Sequence, residues 1–134
     1  DEGAAKVNLM PPKLLGITIL TSWTQESFVR DLLIDQEIDK RVKHLAKVAS
    51  DSGLGGCVCS PREVHSLRQI YPETFELVTP GIRALGSDVN DQSRVSDASE
   101  ALKMGASKLV IGRAITRSND PAYMFKCFCD KVFI

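Results

Sequence analysis

The sequence lacks an excess of charge of either sign: 17 Lys and Arg balance 17 Asp and Glu over 134 residues. This excludes a chain that holds a nucleic-acid backbone or an anionic membrane surface by bulk electrostatics, so any anion has to be gripped locally. Long apolar runs are missing too. None approaches the ~20 residues of a transmembrane helix, and the opening Asp1-Glu2-Gly3-Ala4-Ala5 has neither the basic nor the apolar region of a secretory signal. These absences point to the cytoplasm. No Met stands at position 1, from which we expect translation to start upstream. The C-x-x-C spacing of zinc and thioredoxin-like sites is absent as well, because the cysteines form two C-x-C pairs, Cys57/Cys59 and Cys127/Cys129. On a strand, Cys57 and Cys59 share a face. On a helix, Cys127 and Cys129 lie about 200° apart and cannot chelate together. All four read as buried, reduced thiols.

What is present alternates strands with helices. Leu14 to Leu20 is a continuous apolar, β-branched run ending at Thr21-Ser22, which predicts a strand buried on both faces. Polar residues follow, and then a helical stripe of Ile38, Val42, Leu45, Ala46 and Ala49, with Gly53 at the capping position. Gly56 to Ser60 reads as a short strand. Ser60-Pro61-Arg62-Glu63 then combines an N-cap serine, a first-turn proline and a capping-box glutamate. Val64, Leu67 and Ile70 make the stripe of that helix. Phe75 to Thr79 is the third predicted strand. After a loop, Asp97 with Glu100 opens a helix through Ala98, Ala101 and Leu102 that stops at Gly105. Lys108 to Ile111 is the fourth strand, and Asp120-Pro121 starts a last helix carrying Met124, Phe125, Phe128 and Val132.

Four successive strand-then-helix units imply parallel strands with helical crossovers, in a doubly wound sheet or a (β/α)8 barrel. A barrel needs eight units and about 250 residues, so this chain reads as half of one. Such a half leaves one sheet face and both edges open. It needs a partner or the other half.

Ligands of such barrels bind where the strands end. Here "LVTPGIR" (77–83) and "LVIGRAIT" (109–116) each stop at a Gly closely followed by an Arg. Gly81 and Gly112 allow close backbone approach, while Arg83 and Arg113 supply forked, permanently charged donors suited to phosphate oxygens. Gln92 lies in the intervening loop with both a donor and an acceptor. Each feature also has a plain alternative: strand-end arginines at the surface, Thr79-Pro80 as a stiff strand exit, Thr21-Ser22 as hydroxyls satisfying loose backbone groups. His44 and His65 fall on helices without a carboxylate placed to make either a base, and read as surface or boundary residues. Trp23 either shelters the ligand rim or packs under a loop.

The stretches "LLGITILTS", "GLGGCVCSPREV", "FELVTPGIR…GSDVNDQSR" and "GASKLVIGRAITRSNDP" resemble, in order and spacing, the C-terminal half of orotidine 5′-phosphate decarboxylase. The resemblance runs from about Leu14 to the last helix. It implies a (β/α)8 TIM barrel of which this chain supplies roughly the last four β/α units, as a single domain over 1–134 with 1–13 a linker or the end of a preceding helix. It also implies a cytoplasmic homodimer, or association with the other half, and conversion of orotidine 5′-phosphate to UMP and CO2 in de novo pyrimidine biosynthesis without metal or organic cofactor. Residue by residue it implies that Thr21 contacts the pyrimidine side, that Arg83 and Gln92 are loop contacts to the phosphate side with Gln92 also near the ring, and that Gly112 and Arg113 are the main phosphate grip. The family's catalytic Asp-x-Lys-x-x-Asp segment does not occur in these 134 residues. Asp39-Lys40 and Asp130-Lys131 read as solvated helix faces, so no catalytic residue is assigned. Two alternatives stand beside this reading: a non-catalytic nucleotide-phosphate binding half-barrel that dimerises to bury its sheet, and a related metal-dependent lyase acting on sugar phosphates.

Overall fold

Short β-branched runs form the strands, and the amphipathic runs between them pack over one side of the resulting sheet. The computed structural model describes residues 2–83 and 96–132. In chain order these give α1 (Glu2–Ala5), β1 (Leu15–Ile17), α2 (Gln25–Leu32), α3 (Ile38–Asp51), β2 (Gly56–Val58), α4 (Pro61–Arg68) and β3 (Glu76–Thr79). Then come β4 (Ile82–Arg83), β5 (Ser96–Asp97), α5 (Ala98–Lys103), β6 (Lys108–Leu109), α6 (Arg113–Thr116) and α7 (Pro121–Val132). The principal sheet has four strands in the order β1-β2-β3-β6, all pairs parallel. A second pair, β4 with β5, is also parallel and was not foreseen from the sequence.

Register separates the two faces of the sheet. Gly16, Cys57 and Leu77 are aligned partners, and a side chain on Gly16 would meet the Ala49 methyl of α3 at 2.8 Å, so this row faces the helices. Cys57, Leu77, Val42, Val64, Leu67 and Phe28 are fully buried there, each large apolar side chain contributing about 1.5–3 kcal/mol on leaving water. The alternate row, Ile17, Val58 and Val78, faces the other way. On that side Ile17 is 63 % exposed, and Val110 just beyond β6 is 51 % exposed.

This corrects the expectation for the first strand. Its ladder is confined to Leu15–Ile17, and it is covered on one face only, because among the described residues no second layer lies over the other. Two further expectations change. Ile70 lies past the end of α4 and Phe125 points away from the core, both being exposed. The polar stretch after β1 is itself a helix, α2, held by a reciprocal Thr24/Ser27 capping box and burying Phe28.

Other signals hold. Gly53 has φ +74 just past α3, and Gly105 has φ +105 just past α5. Asp97 caps α5 by accepting from Ser99 N, and the Asp120 carboxylate accepts from Tyr123 N at 2.9 Å in the first turn of α7. Asp39, Lys40 and Asp130 are exposed helical residues, Asp39 pairing with Lys43 at 2.7 Å. His44 and His65 are exposed. All four cysteines are free, but only Cys57 and Cys59 are buried; Cys127 and Cys129 are half-buried on α7, a correction that follows from that helix having a single face against the core.

Candidate functional site at the strand ends

Parallel strands all finish at the same end of the sheet, so the residues just past each strand share one rim. After β1 the chain continues extended, with Thr18 Oγ1 donating to the Val58 carbonyl at 2.7 Å, and then turns at Thr21. Thr21 is only 7 % exposed. It lines a cavity of about 270 Å³ with Ile17, Leu20, Ser22, Val58, Cys59 and Pro80, drawn from the ends of β1, β2 and β3. Pro80 stiffens the exit of β3, and Gly81 follows at φ +82, a left-handed conformation that suits glycine and turns the chain sharply at the rim.

Beside this cavity, Ser60 closes β2 and starts α4. Its N–H donates to the Glu63 carboxylate at 2.7 Å, and its hydroxyl donates to the same oxygen. Both residues are buried. Cys59, the titratable side chain among the described cavity residues, is pushed up by its contact with the Cys57 thiol and by burial, and stays protonated at neutral pH. Cys57 is shifted down, first by the same contact, with the positive charge of Arg68 helping and desolvation opposing. The cavity therefore offers hydroxyls and backbone groups to a neutral polar ligand edge, and no proton donor poised near neutral pH.

At the far edge of the sheet, Gly112 and Arg113 follow β6. Gly112 is the N-cap of α6, and a Cβ there would meet nothing within 4 Å, leaving open space above the backbone. Arg113 is the first residue of α6 and is half-buried. Thr21 and Arg113 thus occupy one rim, across three strand spacings of the sheet, roughly 14 Å. Arg83 forms β4 and pairs in register with Asp97; its side chain, and Gln92 entirely, lie outside the described residues. Trp23 is half-buried, packs against the core and lines a neighbouring cavity with Thr24 and Arg62, which favours packing under a loop. The reading from sequence missed Cys59 as a cavity wall and Ser60 as a rim residue. Their position directly after a predicted parallel strand was the available signal.

Residues 2–126 match the family described as Orotidine 5′-phosphate decarboxylase / HUMPS family. The chain is 81 % identical over 134 residues to orotidine 5′-phosphate decarboxylase of Prochlorococcus marinus (strain NATL1A), covering 100 % of this chain and 56 % of that protein. It is 50 % identical over 131 residues to the protein of that name from Parasynechococcus marenigrum (strain WH8102), covering 98 % of this chain and 53 % of that one. Among solved structures, orotidine 5′-phosphate decarboxylase from Lactobacillus acidophilus superposes with a TM-score of 0.77 at 31 % identity, over 94 % of this chain and 51 % of that one. The chain spans about half the length of the curated relatives it matches. Its four-stranded parallel sheet, with helices on one face only among the described residues, is accordingly a half-barrel of the TIM barrel type. With the match running through every strand of that sheet and both strand-end arginine motifs, the chain belongs to the orotidine 5′-phosphate decarboxylase / HUMPS family.

Proposed function

We propose that this chain supplies the phosphate- and pyrimidine-binding half of an orotidine 5′-phosphate decarboxylase, the cytoplasmic lyase that converts orotidine 5′-phosphate to UMP and CO2 in pyrimidine biosynthesis. The observation that carries the reading is the placement of Thr21 and of Gly112-Arg113 on one rim of one parallel sheet in a member of this family. In this reading Arg113 and the Gly112 backbone grip the phosphate, Thr21 contacts the pyrimidine side, and Arg83 and Gln92 are loop contacts on the phosphate side, with Gln92 also near the ring. No metal or organic cofactor is assigned. Residues 1–13 serve as a linker into the half-barrel or as the end of a preceding helix.

Phosphate binding far from the departing carboxylate is useful because remote binding energy can be spent on closing loops and stabilising charge at the reacting centre. The proton donor is another matter. The sequence contains no Asp-x-Lys-x-x-Asp, and loss of a general acid alone typically costs about 10²–10⁴-fold. The 134-residue chain by itself therefore does not turn over at an enzymatic rate. Activity belongs to the complete barrel, reached by association with the catalytic half and, in the assembled enzyme, as a homodimer.

Calorimetric titration with UMP tests the proposal. The chain is expected to bind UMP, and Arg113→Ala to weaken it by about tenfold to a hundredfold, the worth of a charge-assisted phosphate contact, with circular dichroism unchanged. Equal affinity in both proteins would remove Arg113 from the phosphate site. Rapid decarboxylation by the chain alone would overturn the assignment of the proton donor to the other half.

A further inference from the structure

We propose that two copies of this chain close into one eight-stranded parallel barrel, β6 of each copy pairing with β1 of the other. The principal sheet has four strands, half the number such a barrel holds. Its edges are β1 and β6, which among the described residues pair on one side only, with β2 and β3. All four strands run the same way, so a second copy turned about the barrel axis presents the matching edge in the parallel sense at both junctions. The ring then closes and no edge is left over.

Three observations favour a second copy as the occupant of these edges. The chain exposes 8645 Å², against about 6,900 Å² for a compact monomer of its 14.7 kDa. The N-terminal segment, with Val7, Leu9 and Met10 exposed, holds part of that excess. Even so, an excess of about 1,700 Å² is twice the ~800 Å² that each partner contributes to a stable interface. The second observation is a groove at the β6 edge. α7 packs on α5 and α6, and between it and β6 lies an apolar cavity of about 390 Å³ lined by Leu102, Leu109, Ile111, Phe125 and Phe128. This is the helix side of the position that a strand next to β6 would take.

Register is the third. Within one copy Lys108 is in line with Ile17, through Val78 and Val58. Barrels of this type are staggered by about eight residues around the ring, hence about four per copy, which sets Leu109 beside Leu14 of the other copy and Val110 beside its Leu15. The opposite sense of stagger would leave the two strands without overlap. Leu14 lies two residues before Gly16, so it is on the helix side, and it is 64 % exposed in the single chain. In the closed ring it enters the groove beside Leu109. Ile17 and Val110 turn into the barrel with Val58 and Val78, the branched side chains that fill such interiors.

The inference does not rest on nucleotide binding. The same two edges would take the catalytic half of a complete barrel, so the pair of copies is the form of this chain on its own, and its failure would leave the UMP titration to decide the reading above.

Sedimentation equilibrium of the 134-residue chain is expected to show a species of twice 14.7 kDa and nothing larger. A cross-link then tests which surfaces meet, in a Cys127→Ser/Cys129→Ser background that removes the half-buried α7 thiols. Mixing a Leu15→Cys chain with a Val110→Cys chain under mild oxidation is expected to give disulfide-linked pairs, since the two positions lie on neighbouring strands about 5 Å apart. Neither variant alone is expected to link to itself, because like positions stand on opposite sides of the barrel. Leu14→Asp is expected to raise the dimer dissociation constant at least tenfold, with helical circular dichroism unchanged. A chain that stays monomeric at millimolar concentration, growth beyond two copies, single variants that link as well as the mixture, or an unaltered constant in Leu14→Asp would each overturn the closed barrel.

Discussion

One arginine joins several of the loops that precede the strands. Arg68, the last residue of α4, donates from Nε to the Gly105 carbonyl at 3.0 Å, from Nη1 to the carbonyls of Pro72 at 2.6 Å and Phe75 at 3.1 Å, and from Nη2 to Ser107 Oγ at 3.0 Å. Ser107 Oγ in turn accepts from Leu77 N of β3 at 3.0 Å. The planar fork satisfies carbonyls on two loops at once, which a lysine cannot do. Arg68→Lys is therefore expected to destabilise the chain by about 2–4 kcal/mol, read as a drop in the chemical-denaturation midpoint. Gly105 is the matching partner: φ is +105, and an added Cβ would lie 2.7 Å from Arg68 Cγ. Gly105→Ala is expected to cost about 1–3 kcal/mol, and, because the two sites touch, less than additively with Arg68→Lys; strict additivity would show that they act separately. Gly105 was legible as a helix stop. Arg68 was not, because most of its acceptors are backbone carbonyls, one of them 37 residues away, and carbonyls carry no residue signature.

The helix starts that were read, unlike those of α2 and α6, announced themselves for a local reason. The Ser60-Pro61-Arg62-Glu63 start of α4 is written in adjacent residues, and the structure forms it as read, with the difference that the capping box is buried. Glu63→Ala leaves the Ser60 N–H and hydroxyl without that acceptor inside the fold, and is expected to cost about 2–4 kcal/mol, whereas an exposed cap would cost less; a loss below half a kcal/mol would mean that water replaces the carboxylate. Strand β1 was overread because strand length depends on a neighbour to pair with, which no window of sequence contains. At the N-terminal end of the sheet, Glu76 on β3 bridges Lys13 at 2.9 Å and Lys108 of β6. These two cations hold the Glu76 carboxyl below its usual range, Lys108 contributing most. A depressed carboxylate pKa adds stability above the unfolded value that is lost as pH falls through the folded one. Replacing Glu76 by Gln should therefore flatten the stability profile on the acid side, below about pH 4.5, and leave the shape of the profile above neutrality unaltered.

At the scale of the whole molecule the open sheet face dominates behaviour. Ile17 and Val110 stand exposed on the side opposite the helices, where apolar surface favours association. Light scattering of the chain should report self-association that Ile17→Lys with Val110→Lys relieves without loss of helical circular dichroism; a chain already monomeric at high concentration would show the face to be tolerated by water. The half-barrel itself was legible from the count of strand–helix units, and Thr21 and the glycine–arginine strand ends were legible as candidate rim positions. Cys59 and Ser60 were not read as rim residues because the rim is assembled from positions far apart in sequence, Cys59 meeting Thr21 and Pro80 only in the fold. One last property follows from the strand order, β1-β2-β3-β6, in which every strand of the principal sheet pairs with the one that precedes it in the chain. Nothing synthesised late has to be inserted between partners made early. During synthesis each unit of this sheet can dock on the finished edge of the one before, so assembly can keep pace with the ribosome. In the folded chain the amides of β2 and β3, paired on both sides, should be the last of the sheet to exchange with deuterium, and those of the two edges the first.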